Sequence, residues 1–208
     1  TLLELGVCDG RVALALAEKD RRVLGVDASA PMLEALQARK RECSSTVAAR
    51  VTAMHADART LRLRRSFERV VQPFNGIAHF HDHAALHELL ATVRAHLAPD
   101  GLFAFDVMIP DLRLLAGGAS SIPRVEHPRT GAVCRVEERY DYDAIRQVLT
   151  VTTTLVERES GARQTLELRL RQLFPQETSL LLETQGFEVI ERSEELGDSL
   201  AYVCRLRD

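Results

Sequence analysis

Residues 4–11 read Glu-Leu-Gly-Val-Cys-Asp-Gly-Arg, and this stretch decides the fold. The apolar run just before it, LLELG (residues 2–6), reads as a buried strand. The Ala- and Leu-rich run just after it, residues 11–19, reads as a helix. A strand ending at Gly6 and a helix starting after Gly10 leave a tight turn between them. Glycines in such a turn let a ligand approach the backbone and open the helix N-terminus toward it. The spacing also decides against one ligand class. A pyrophosphate-binding dinucleotide turn reads G-x-G-x-x-G. Gly6 and Gly10 stand four apart with no third glycine in that register, which disfavours a nicotinamide oxidoreductase.

Outward from this turn, the first half of the chain alternates strand-like and helix-like runs. Strands are expected at residues 22–27, 51–57, 67–74 and 101–109. Pro31 suits the first turn of a helix that carries Met32, Leu33 and Leu36 on its apolar stripe. Asp82 is a good N-cap for a helix with Leu86, Leu89, Leu90, Val93 and Leu97 at helical spacing. Alternation of this kind predicts a doubly wound α/β fold, a mostly parallel sheet with helices on both faces. The second half differs. Residues 111–128 read as a Gly/Ser/Pro-bearing loop. Strands are expected at 133–140 and 145–156, and a third where Leu166, Leu168 and Leu170 alternate with charged residues. Period two implies one buried and one wet face, hence an inserted antiparallel section over about residues 111–172. Pro175 opens a helix that Gly186 closes, and two strands end the chain.

Composition sets outer bounds. The 208 residues carry a net charge of −3, with 46% hydrophobic and 27% charged residues, an ordinary balance for a single folded domain rather than a disordered chain. No apolar run reaches the ~18–20 residues of a membrane helix, and the start lacks the features of a signal peptide. Net acidity, few aromatics (5%) and the absence of Trp disfavour a nucleic-acid partner, because phosphate contacts and stacking platforms would be poor. The basic run at residues 61–65 reads as a solvated loop. Cys8, Cys43, Cys134 and Cys204 form no CxxC pair, so reduced thiols and a cytoplasmic location are expected. Nothing in the sequence speaks to oligomeric state.

Ligands of open parallel sheets bind at the carboxyl ends of the strands, where strand order reverses. Glu4, Gly6, Gly10, Asp27 and Asp57 all fall at such ends. A carboxylate at the end of the second strand can accept both hydrogen bonds of a ribose diol. Taken singly, Glu4 and Gly6 also suit a plain tight turn, Asp27 a helix cap and Met32 a core residue. The histidines of HFHDH (residues 79–83), with His87 a turn later, fall one residue short of a metallo-hydrolase motif. No second ligand cluster accompanies them, so no metal is expected. His79 and His81 are the candidate general bases, since an imidazole titrates in the useful range. The competing reading is solvated residues around a helix start. His127 is a weaker alternative, and Cys8 has no partner that would make it a nucleophile.

At this point the chain resembles the class I S-adenosylmethionine-dependent methyltransferases of small-molecule type. Their first motif is an acidic residue followed by x-G-x-G-x-G, here E-L-G-V-C-D-G. The later motifs correspond to GVDAS (25–29), HADAR (55–59), PFNGIAHF (73–80) and LAPDGLFAFDV (97–107). Residues 168–191 match the helix-and-strand ending of small-molecule members. The resemblance covers nearly the whole chain and implies a Rossmann-like, seven-stranded sheet. It implies S-adenosyl-L-methionine as cofactor, with Glu4 and Gly6 near the methionine amino group and its backbone cradle. Asp27, with Ala28 beside it, would face the ribose, and Met32 the adenine. Asp57 would accept from the adenine amino group, next to Ala58. Pro73, Phe74 and Asn75 would wall the transferable methyl. Cys8 stands where the middle glycine usually sits. A positive φ at that position would add strain of order 1 kcal/mol.

The expected reaction is methyl transfer to a nitrogen or oxygen of a small-molecule acceptor. The loop at 111–128 and the inserted strands are expected to shape the acceptor site. The alternative is a catalytically degenerate binding module with the same fold. Its grounds are Cys8 and the family's N-terminal helices, which would be missing from a chain that opens on a strand.

Overall fold

The computed structural model describes residues 1–127 and 130–207, which divide into two compact units. Residues 1–109 and 174–207 form the first, and Pro110–Leu173 the second.

The first unit contains β1 (Leu2–Leu5), α1 (Arg11–Glu18), β2 (Val23–Asp27), α2 (Ala30–Glu42), α3 (Ser45–Arg50), β3 (Val51–His55) and β4 (Phe67–Gln72). A 3₁₀ turn (Gly76–His79), α4 (His83–His96) and β5 (Leu97–Met108) follow. Its seven-stranded sheet is ordered β10-β11-β5-β4-β1-β2-β3, where β10 (Phe187–Ser193) and β11 (Ser199–Leu206) come from the chain's end. From β5 to β3 the strands are parallel, and β11 and β10 add on antiparallel. This is the doubly wound sheet that the alternating pattern predicts, with the seven strands and Rossmann-like order that the resemblance implies. Strand order reverses between β1 and β4, so the crevice of such a sheet opens there.

The central strand is apolar throughout because both faces are covered. Leu3 and Leu5 are fully buried, each worth about 1.5–3 kcal/mol by area removed from water. Val7, Ala13, Leu14, Ala17, Val23, Leu36 and Val51 continue the core between α1, α2 and the sheet. Pro31 lies in the first turn of α2, Ser29 caps that helix, and the Asp82 carboxylate caps α4 through the Ala85 N–H. Strand β5 starts earlier than expected, at Leu97. Between pairing partners Phe67/Leu97 and Arg69/Leu102 the register shifts, so Pro99, Asp100 and Gly101 are absorbed as a bulge.

The second unit is an antiparallel sheet of four strands, one more than the sequence suggests. They are β6 (Gly118–Glu126), β7 (Val133–Asp143), β8 (Val148–Glu157) and β9 (Arg163–Arg171). The expected loop at 111–128 is therefore corrected. It holds the one-turn helix α5 (Leu112–Leu115) and strand β6, while Pro128 lies outside the described residues. Gly, Ser and Pro hide this strand because β6 is an edge. Pro123 sits inside the register shift between Ile122 and Val125, where no ladder N–H is needed. Residue 145 is not yet strand. Asp143 accepts from the N–H groups of Ile145 and Arg146 and turns the chain before β8. The expected buried face of β9 is also corrected. Leu166 is 67% and Leu168 41% exposed. Period two fixes which residues share a face, not whether that face is covered.

Among the described residues no helix is long and apolar enough to cross a membrane, and the four cysteines are free thiols.

Candidate active site

The site grows from the turn after β1. Gly6 has φ 75° and Gly10 φ 79°, values only glycine adopts freely. At Gly10 space matters as well. An added Cβ would lie 2.1 Å from Leu36 Cδ1, so this glycine lets α1 start against α2. Gly6 and Val7 donate their N–H groups to the Val26 carbonyl at the end of β2. Cys8, at φ 48°, takes the left-handed conformation despite its side chain, and its N–H donates to Asp27 Oδ2 at 2.8 Å. Asp27 Oδ1 accepts from the Ser29 N–H at 2.8 Å. One carboxylate thus ties the first two strand-to-helix turns together. Asp9 anchors the same turn to α2 through Arg39 at 2.8 Å.

The wall after β4 is built by an acidic residue that sequence reading passed over. Phe74 and Asn75 both have positive φ, 59° and 55°. Their N–H groups donate to Asp106 Oδ1 and Oδ2 at 2.6 and 2.9 Å, and Asn75 Oδ1 accepts from the Met108 N–H. This double clamp from β5 holds a turn that side-chain-bearing residues would otherwise avoid. Phe74 is left 57% exposed, with the Arg11 guanidinium carbon 3.6 Å from its ring centroid.

Between these turns lies a cavity of about 740 Å³. Of the residues expected from sequence, Glu4, Gly6, Cys8, Asp27, Ala28, Met32, Asp57, Ala58, Pro73, Phe74, His79 and His81 line it. Gly10 and Asn75 do not; they shape the two turns behind it. Lining residues that sequence reading missed include Arg11, Arg59 and Gln72. Glu4 and Gln72 are buried, 1% and 2% exposed, and Glu4 Oε2 and Gln72 Oε1 have no hydrogen-bond partner among the described residues. Burial pushes the Glu4 carboxyl up to about 8, so it holds its proton at neutral pH.

Asp57 enters the cavity already engaged. Arg59 donates to it from its backbone N–H and from Nε and Nη2, the last at 2.6 Å, and these hydrogen bonds hold the carboxyl below its ordinary range. Buried Thr92 of α4 fixes the Arg59 carbonyl at 2.8 Å. His79 sits on the 3₁₀ turn, where surrounding protein and neighbouring His81 hold its imidazole below the usual range. A ring that stays neutral at pH 7 can accept a proton. Burial, with Asp27 beside it, pushes the Cys8 thiol up to about 11, so it is no nucleophile. Among the described residues no group of three or more His, Cys, Asp or Glu side chains is arranged to hold a metal ion.

Residues 2–101, which carry the first four of the sequence motifs, match the family model described as a methyltransferase domain. The methyltransferase fold extends over the whole chain. The CcbJ methyltransferase of Streptomyces caelestis superposes with a TM-score of 0.85 at 26% identity, over 100% of this chain and 83% of that one. CalS10, an amino pentose methyltransferase of Micromonospora echinaspora, gives 0.79 at 19% identity, over 100% and 83%. The glycopeptide N-methyltransferase MtfA gives 0.72 at 22%, over 99% and 80%. These last two likenesses speak to the fold. Among curated proteins none matches the chain significantly by sequence.

Proposed function

We propose that the chain is an S-adenosylmethionine-dependent methyltransferase acting on a nitrogen or oxygen of a small-molecule acceptor. The observation that carries this reading is convergence. Glu4, Asp27 and Asp57, from the ends of three neighbouring strands, all line one cavity at the strand-order switch. Its volume, about 740 Å³, lies in the range of small-molecule and cofactor sites.

The residues present fit the cofactor on their own chemistry. Glu4 Oε2 is a buried oxygen with no hydrogen-bond partner among the described residues, and an ammonium would supply one. Asp27 uses two of its roughly four lone-pair positions on backbone N–H groups and keeps the others for a ribose diol. Met32, 46% exposed on the cavity wall, offers a polarizable face for an aromatic base. When bound, the cofactor supplies a methyl group already activated on a sulfonium. The chain's work is then alignment and exclusion of water. The turn of Pro73, Phe74 and Asn75, fixed by Asp106, forms the wall against which an acceptor is aligned. His79, neutral at pH 7, accepts the proton of an acceptor that arrives protonated.

The test is production of S-adenosylhomocysteine from S-adenosylmethionine across a panel of small amines and hydroxyl compounds. Turnover that is lost in Asp27→Ala supports the reading. Absence of turnover and of cofactor binding in the wild type would overturn it.

A further inference from the structure

The inserted sheet has two unlike faces. Residues directly opposite across its ladders share a face. One face carries Glu137, whose carboxylate pairs with Arg135 and Arg163, and the hydrogen-bonded hydroxyls of Thr154 and Thr165. Register places Ile122, Val136 and Leu155 together on the other face. Leu166 lies beside them in the row of Thr153, and Val151 and Leu168 lie in the row beyond. A sheet with one polar and one apolar face covers the apolar one, yet Ile122, Leu166 and Leu168 are exposed. Single exposed leucines are ordinary, whereas a contiguous apolar patch of several hundred Å² marks an interaction surface.

One charge sits within the apolar face, and it is already supplied with donors. Tyr140 donates to Glu138 Oε2 at 2.6 Å and Ser120 at 3.3 Å, while Thr153 donates to Oε1 at 3.4 Å. All three are hydroxyls of the same face, so the carboxylate asks for no cation from whatever covers it. A partner selected by charge finds nothing to select on. The edges of the sheet are guarded: Pro123 interrupts β6, and charged residues alternate along β9. Strand addition is therefore disfavoured, and the face remains.

We infer that this face packs against the same face of a second copy, so that two inserted sheets form a sandwich about a two-fold axis. Stacked sheets lie about 10 Å apart with their inner side chains interdigitated. Four strands of nine to eleven residues span roughly 19 by 30 Å. That is about 600 Å² on each copy and about 1,200 Å² for the pair, the size at which stable interfaces begin. Two-fold pairing uses one patch on both copies, so the assembly closes at two. The pairing concerns the second unit alone and stands whether or not the cavity of the first holds a cofactor.

Sedimentation equilibrium of the full chain over a concentration series is the test. Wild type is expected to be a dimer. Leu166→Glu puts a second carboxylate on the apolar face and should weaken dimerisation by about a hundredfold or more. Thr165→Glu, on the wet face of the same strand, should leave it unchanged. Circular dichroism checks that each variant is folded, and Ile122→Glu on β6 repeats the test if Leu166→Glu does not fold. The thermal midpoint of wild type should rise with protein concentration, and that of the face variants should not. A monomeric wild type would overturn the pairing and leave the face to a different occupant. Folded face variants that dimerise as tightly as wild type would overturn it too, by placing the contact on another surface.

Discussion

The Asp106 carboxylate accepts the Phe74 N–H at 2.6 Å, across 32 residues of chain, and takes the Asn75 N–H with its other oxygen at 2.9 Å. Two consecutive left-handed residues are thereby held by one acidic side chain. Asp106→Ala should lower unfolding free energy by about 2–3 kcal/mol, the size of losing hydrogen bonds to a charged acceptor. Asp106→Asn keeps one carbonyl oxygen and should lose about half as much. Denaturant midpoints measure both, and an Ala variant as stable as wild type would contradict the clamp.

Gly10 is expected to be the least replaceable residue of the first turn. Gly10→Ala meets both a positive φ and the Leu36 side chain, so a loss of about 2–4 kcal/mol is expected. Gly6→Ala meets only the positive φ, because no atom of the described residues lies within 4 Å of its missing Cβ, and should cost less. Thermal or chemical unfolding of the two variants side by side checks the order.

Cys8 holds a glycine-like conformation at φ 48°. Cys8→Gly should relieve strain of about 1 kcal/mol and raise stability by that order. If the side chain also crowds the ligand, binding of S-adenosylhomocysteine tightens in the same variant. Weaker binding would mean that the thiol is used.

The Glu4 carboxyl, pushed up to about 8 by burial, makes both stability and binding depend on pH. In the unfolded chain a glutamate titrates near its ordinary value, about 4.3. Between that pH and about 8 the folded state holds a proton that the unfolded state has lost, so stability falls as pH rises through this window and levels above it. Glu4→Gln should flatten that slope. Ligand binding that needs the carboxylate should release a proton below pH 8, seen as a buffer-dependent heat in calorimetry. Equal heats in buffers of different ionisation enthalpy would contradict it.

What could be read from the sequence was local. The cap at Asp82, the Pro31 helix start, the strand ends at Glu4 and Asp27 and the glycine turn each depend on neighbours within a few residues. The contacts that escaped reading join distant segments. Arg11 meets Phe74 across a strand-order reversal, Asp106 reaches back from β5, and Thr92 of α4 fixes Arg59. Composition misled at residues 118–126, where serines and a proline form an edge strand, and at Leu166 and Leu168, where alternation did not mean burial. His96 gave no motif at all. It is buried, its Nε2 accepts from the Leu63 N–H and its Nδ1 faces the Thr92 carbonyl, and so it pins the basic run that reads as a plain loop.

The central claim is that the switch-point cavity holds an adenosine whose ribose sits on Asp27. Calorimetric titration of S-adenosylhomocysteine into wild type and Asp27→Ala tests it most directly. The account predicts one site per chain, weakened by about 1–3 kcal/mol in the variant. Equal affinity in the two proteins, with both folded, would contradict it.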